Sequence, residues 1–119
     1  MKTYAGGCHC GAVQYEVDMD LQGGMVCNCT HCGKKGFVLA FVPAAQFRLL
    51  KGADALTEYR FNKKMIAHLF CKICGVQSFG RGKNADGSDT VAINLRTLNN
   101  LDRDELRALP KTHYNGKDV

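Results

Sequence analysis

The sequence has no run of the roughly 18 apolar residues that a membrane-spanning helix requires. Its longest apolar stretch, Phe37 to Val42, is held between Gly36 and Pro43, so no segment is expected to cross a membrane as a helix. The opening residues, Met1-Lys2-Thr3-Tyr4-Ala5-Gly6-Gly7, lack the roughly 7 to 15 apolar residues of a secretory signal. A soluble chain in the reducing cytoplasm is the expectation. Only two prolines occur, and no repeat or linker divides the 119 residues. Residues 1–119, close to modal domain size, are therefore expected to form one domain. There is no basic arm either. Sixteen Lys and Arg against eleven Asp and Glu give a formal net charge of +5, but the tightest basic groups are Lys34-Lys35, Lys63-Lys64 and Arg81-x-Lys83. Charge scattered in this way reads as solvated surface, and without a stripe interleaved with aromatics it argues against nucleic acid as a partner. The segment Gly80 to Ser88 lacks the glycine spacing and the lysine of a phosphate-binding loop and reads as a plain connector.

What the chain has in excess is cysteine. Seven fall in three groups, Cys8-x-Cys10, Cys27-x-Cys29-x-x-Cys32 and Cys71-x-x-Cys74. In a reducing compartment disulfides rarely persist, and the odd count argues against full pairing, so clustered thiols point to metal or redox chemistry. A thioredoxin-like pair should open a helix after a strand. Cys71-Lys72-Ile73-Cys74-Gly75 instead stands between two strand-like runs, which favours a metal knuckle. Thiolates two or three positions apart across a tight turn can converge on one ion, and each group is followed by a glycine, Gly11, Gly33 or Gly75, read as supplying the turn.

Ligand arithmetic then divides the seven. Cys8, Cys10, Cys71 and Cys74 make a closed four-thiolate site of the structural zinc kind. Cys27, Cys29 and Cys32 leave one position open, the arrangement of a catalytic zinc whose fourth ligand is water or substrate. Two Zn2+ per chain are expected. In a rival partition a histidine, His9, His31 or His68, completes the second site; both ions are then structural and the chain is a binding module for protein or nucleic acid.

Alternation of apolar and polar residues predicts strands over Val13 to Asp18 and Val91 to Leu95, with further strands at Phe37–Val42, Phe47–Leu50, Leu56–Phe61, Met65–Phe70 and Val76–Phe79. Turns are expected at Lys51–Asp54 and Asn62–Lys64. One short helix, carrying Leu106 and Leu109 and stopped by Pro110, is expected after Asp102. The fold class is mainly β. Strand-borne aromatics are core by default, although Phe37 and Phe41 follow the three-cysteine group closely enough to wall its open side.

Three motifs, Gly6-Gly7-Cys8-His9-Cys10-Gly11-Ala12-Val13, Cys27-Asn28-Cys29-Thr30-His31-Cys32 and Phe70-Cys71-Lys72-Ile73-Cys74-Gly75, resemble the signatures of the glutathione-dependent formaldehyde-activating enzyme family, shared by the centromere protein V domain. Val91 to Leu98 resembles the family's last strand, so the likeness runs from about Tyr4 to Asp102. Val76 and Gly33 depart from the commonest family residues, a threonine and a polar side chain. The resemblance implies a tent-like arrangement of antiparallel sheets held by zinc, with the same division of ligands. It also implies a carbon–sulfur lyase that joins a small thiol, glutathione, to an aldehyde such as formaldehyde. Spacing fixes no general base; His31, His68 and Glu58 are the candidates.

Overall fold

In β2 (Gln14–Met19) every second residue, Tyr15, Val17 and Met19, turns inward, and this alternation seats the strand on the core. β2 pairs antiparallel with β1 (Lys2–Gly7) on one side and β5 (Phe47–Lys51) on the other, giving a three-stranded sheet. The computed structural model describes residues 1–60 and 66–115. A second sheet of seven strands runs in the order β10 (Lys111–Tyr114), β3 (Gly24–Cys27), β4 (Leu39–Pro43), β9 (Asp89–Asn94), β8 (Phe79–Lys83), β7 (Ala67–Cys71), β6 (Leu56–Tyr59). All its pairings are antiparallel except that of β10 with β3, which is parallel.

The core contains residues of both sheets: Tyr15, Val17 and Phe47 from the first, Phe79, Val91 and Ile93 from the second. Aromatic contact carries the join: Phe47, stacked on Tyr15 within the small sheet at 5.5 Å, meets Phe79 of the large sheet in a tilted pair at 4.6 Å. Backbone hydrogen bonding adds to it through Asn99, whose N–H donates to Ala5 O at 2.7 Å, beside an isolated bridge between Gly6 and Leu98.

Six expected strands are present with bounds shifted by one or two residues: β2, β4, β5, β6, β7 and β9. The predicted turn at Asn62–Lys64, with Phe61 and Met65 on either side, lies outside the described residues. Three strands were not expected. β1 and β10 carry few apolar residues and β3 is only four residues long, and long-range pairing creates them: β10 exists because Lys111 to Tyr114 finds Gly24 to Cys27. The glycine-rich connector shrinks to the turn at Asn84–Ser88, since Phe79 to Lys83 is strand β8, paired residue for residue with β9. Small residues suit β8, because a Cβ at Gly80 would come within 3.1 Å of Ala67 O. Val76–Ser78, expected as strand, is irregular chain. There Asn94 donates from its backbone to Ser78 O at 2.9 Å and from its side chain to Gln77 O at 3.0 Å.

The helix after Asp102 forms as expected. α2 (Arg103–Ala108) opens on a capping box in which Glu105 N donates to Asp102 Oδ1 at 2.8 Å, and Leu109 and Pro110 follow its end. A second helix, α1 (Thr30–Lys35), lies within the three-cysteine motif, where only a turn was expected. Gly33 is therefore helical and does not make the turn; Gly36, at φ 70°, closes the helix instead.

Candidate metal centres and the adjoining cavity

Each half of the four-cysteine group is a knuckle at the end of a strand. Cys8 and Cys10 lie in the loop between β1 and β2, where Cys8 N donates to Val13 O at 3.1 Å. Cys71 and Cys74 follow β7, where Cys71 N donates to Val76 O at 3.0 Å, the same five-residue closure. Gly11 and Gly75 end the knuckles at φ 84° and 80°, with nothing within 4 Å of a built Cβ, so conformation and not space calls for glycine there. The four sulfurs lie within 4.8 Å of one another. Cys10 Sγ is 3.7 Å from both Cys8 Sγ and Cys71 Sγ, and a tetrahedron with sulfur about 2.3 Å from its centre has edges of about 3.8 Å. Val13 N donates to Cys8 Sγ at 3.2 Å and Ile73 N to Cys71 Sγ at 3.4 Å, the bonds that stabilise thiolate ligands.

The three-cysteine group is built differently. Cys27 ends β3, buried beside β10, and Cys29 caps α1 by accepting from Cys32 N at 3.2 Å. Cys32 follows one helical turn later. These three sulfurs also lie within 4.8 Å of one another, and among the described residues no histidine nitrogen joins either group at that distance. His9 is exposed, and Glu58 pairs with Arg60 on β6.

The surroundings of the thiols explain why each group suits a cation. The amide of Val76, then that of Cys10, draws the Cys74 thiol down to about 6. The amide of Cys74 leads in lowering Cys71. At Cys10 the amide of Ala12 favours ionisation, yet desolvation and the sulfurs of Cys71, Cys8 and Cys74 outweigh it and push the thiol up to about 11. In the other group desolvation opposes ionisation of Cys29, but the amide and thiol of Cys32, with the thiol of Cys27, lower it overall. Burial and the charge on its neighbours push Cys32 up to about 12. Thiolates this close cannot all ionise alone, and a divalent ion removes the conflict.

A cavity of about 330 Å³ adjoins the three-cysteine group. Cys27, Cys29 and Cys32 line it, and none of Cys8, Cys10, Cys71 or Cys74 does. Its other walls are mainly apolar, among them Met25, Phe37, Leu39, Phe41, Ile66 and Tyr114, with His68 and Gln77 as polar members. Phe37 and Phe41 thus both reach the site. A second, more open cleft of about 550 Å³ follows α1, with Lys34, Lys35, His31 and Tyr59 in its walls and Gln77 common to both spaces. The His31 and His68 rings are 4.2 Å apart. Burial, then the Lys35 charge, lowers His31; burial, then His31 and Lys35, draws His68 down to about 4. Gln77, Tyr59 and Tyr114 carry no local motif, so nothing in the sequence marked them. Tyr114 in particular comes to the site through the parallel pairing that sets it opposite Cys27.

A crystal structure of a Rhodobacter sphaeroides protein, a structural-genomics target, matches this fold with a TM-score of 0.77 at 28% sequence identity, covering 91% of this chain and 99% of that one. The family model described as glutathione-dependent formaldehyde-activating enzyme matches residues 3–115, nearly the whole chain and all seven cysteines. The chain belongs to the glutathione-dependent formaldehyde-activating enzyme family.

Proposed function

We propose that the protein is a zinc enzyme of the carbon–sulfur lyase type that joins a small thiol, glutathione-like, to an aldehyde or cleaves the adduct. One observation carries this reading: of the two thiol groups able to hold a metal among the described residues, the one with three ligands lines the apolar cavity and the one with four does not. Cys8, Cys10, Cys71 and Cys74 hold the structural ion, and Cys27, Cys29 and Cys32 hold the working one. Zinc there supplies positive charge that favours thiolate over thiol and draws electron density from a carbonyl oxygen.

In the addition, the thiol sulfur bonds to the carbonyl carbon, the C=O π bond opens, and the thiol proton ends on the oxygen. His68, held neutral at physiological pH and lining the cavity, is the group placed to take that proton in transit. Lys34 and Lys35 give the neighbouring cleft positive charge suited to the carboxylates of a glutathione-like thiol. The protein acts in the cytoplasm on small molecules, with no nucleic acid. Turnover of formaldehyde with a panel of thiols by zinc-replete protein tests the reading; no thiol-dependent consumption above the uncatalysed rate would sink it. X-ray absorption at the zinc edge separates it from the binding-module rival, which requires four protein ligands at both ions.

A further inference from the structure

Formaldehyde is a poor match for the space beside the three cysteines. The cavity measures about 330 Å³, against the ~30 Å³ that a molecule the size of water occupies. A carbon and an oxygen would leave most of it filled with solvent against apolar walls. Those walls include side chains that a folded protein seldom leaves bare: Phe41 is 53% exposed and Ile66 51%, both at the cavity. One polar group there is unsatisfied. Gln77 is only 6% exposed, its side chain makes no hydrogen bond among the described residues, and its carboxamide oxygen is buried without a partner. Its amide nitrogen lies by Gly80, itself a wall of the cavity, 3.7 Å from where a Cβ of that glycine would stand. Such a buried carboxamide is costly unless a bound group completes it.

We infer that the cavity takes a carbonyl compound with an apolar body, of the size of an aromatic or medium-chain aldehyde, whose oxygen is met by the carboxamide of Gln77. This rests on the site being one where a thiol meets a carbonyl. The apolar body lies against Met25, Leu39, Phe41 and Ile66, which sets the carbonyl carbon at the cysteine end. Gln77 is a positioning residue: its buried carboxamide oxygen, the atom left without a partner, accepts from the hydroxyl into which the carbonyl oxygen is converted, and its N–H can donate to that oxygen as negative charge gathers there during sulfur attack. The chemistry is unchanged from simple addition, with one C–S bond formed, one C=O π bond broken, and the proton moved from sulfur to oxygen.

The test uses alcohols, which mimic the aldehydes without condensing with lysines, and a reporter in the wall. Zinc-loaded protein with 13C-labelled methionine methyls is titrated with benzyl alcohol, methanol and toluene, following Met25 against Met1, which lies outside the cavity, with Met19 reporting the second space that Met19 and Met25 share. Benzyl alcohol is expected to shift the Met25 methyl saturably while methanol at equal concentration does not. Ala92→Leu, which fills the cavity from β9, should weaken that binding roughly tenfold or more with zinc content unchanged. Gln77→Leu should cut the preference for benzyl alcohol over toluene by roughly 3- to 10-fold, the loss of one hydrogen bond. A Met25 signal that moves no more than that of Met1 in the parent overturns the inference, as does an unchanged preference in Gln77→Leu. Saturable benzyl alcohol binding without thiol-adduct formation from benzaldehyde or formaldehyde would sink the lyase reading alone. Formaldehyde turnover without benzyl alcohol binding would sink the apolar substrate alone.

Discussion

Tyr15 shows how a single side chain can brace the join between sheets. The Thr97 hydroxyl donates to Asn94 O at 2.7 Å, so the Tyr15 hydroxyl must donate to Thr97 Oγ1, at 2.8 Å. Burial resists its ionisation and pushes Tyr15 up to about 12. Tyr15→Phe keeps the ring stacking and removes the bond, and should lower the unfolding free energy by about 1 kcal/mol, measured by denaturant titration. A second residue-scale outcome concerns pH. Because burial and two neighbours hold His68 near 4 in the folded chain, against an ordinary value of 6.5, the unfolded chain binds more protons between those values. Stability therefore rises with pH through that window and falls as pH drops from 6.5 towards 4. His68→Phe should flatten that part of the slope relative to the parent, and the His68 ring resonances should stay unshifted from pH 8 to about 5.5.

At the scale of elements, α1 is the informative one. It has six residues, none fully buried, and an isolated helix so short does not persist in water. Two candidate ligands bear on it: the Cys29 thiol caps its start, and the Gly36 N–H closes its end on the backbone carbonyl of Cys32 at 3.0 Å. Removing the metal with a chelator should therefore loosen α1 first. Amide exchange at Gly33 and Gly36 is expected to quicken by roughly tenfold or more while Val91 and Ile93 stay protected; equal protection with and without metal would contradict this. The helix also marks where the sequence was readable and where it was not. Alternation showed β2 and β9 because each buries one face, and cysteine spacing showed the two groups of candidate ligands because a tetrahedral ion constrains short loops. Thr30 to Lys35 has no apolar face, so no period could reveal it. β3 and β10 depend on partners far away in the chain, and Gln77 reaches the cavity only because Asn94 holds its carbonyl. The candidate metal ligands were thus legible, whereas the polar and apolar walls of the cavity were not.

Across the whole molecule the four-cysteine group is placed to act as a clasp once it holds an ion. Cys8 and Cys10 follow β1 of the small sheet, Cys71 and Cys74 follow β7 of the large one, and the aromatic contact of Tyr15, Phe47 and Phe79 holds the same two layers. A structural zinc contributes on the order of 10 kcal/mol to folding, comparable with the whole stability of a small domain. Cys74→Ser should accordingly leave the protein insoluble or unfolded by circular dichroism; a variant that melts like the parent would show that this group is not the clasp. The three-cysteine group lies on β3 and α1 alone, joining no second sheet, and should behave in the opposite way. The most direct measurement of this division of labour is made on Cys32→Ser, comparing its circular dichroism and melting temperature with its zinc content and thiol-dependent aldehyde turnover, beside parent protein supplied with zinc. The expected result is a folded variant that retains one zinc and has lost turnover; a folded, one-zinc variant with undiminished turnover, or one that unfolds altogether, would contradict the assignment of Cys27, Cys29 and Cys32 to the working metal.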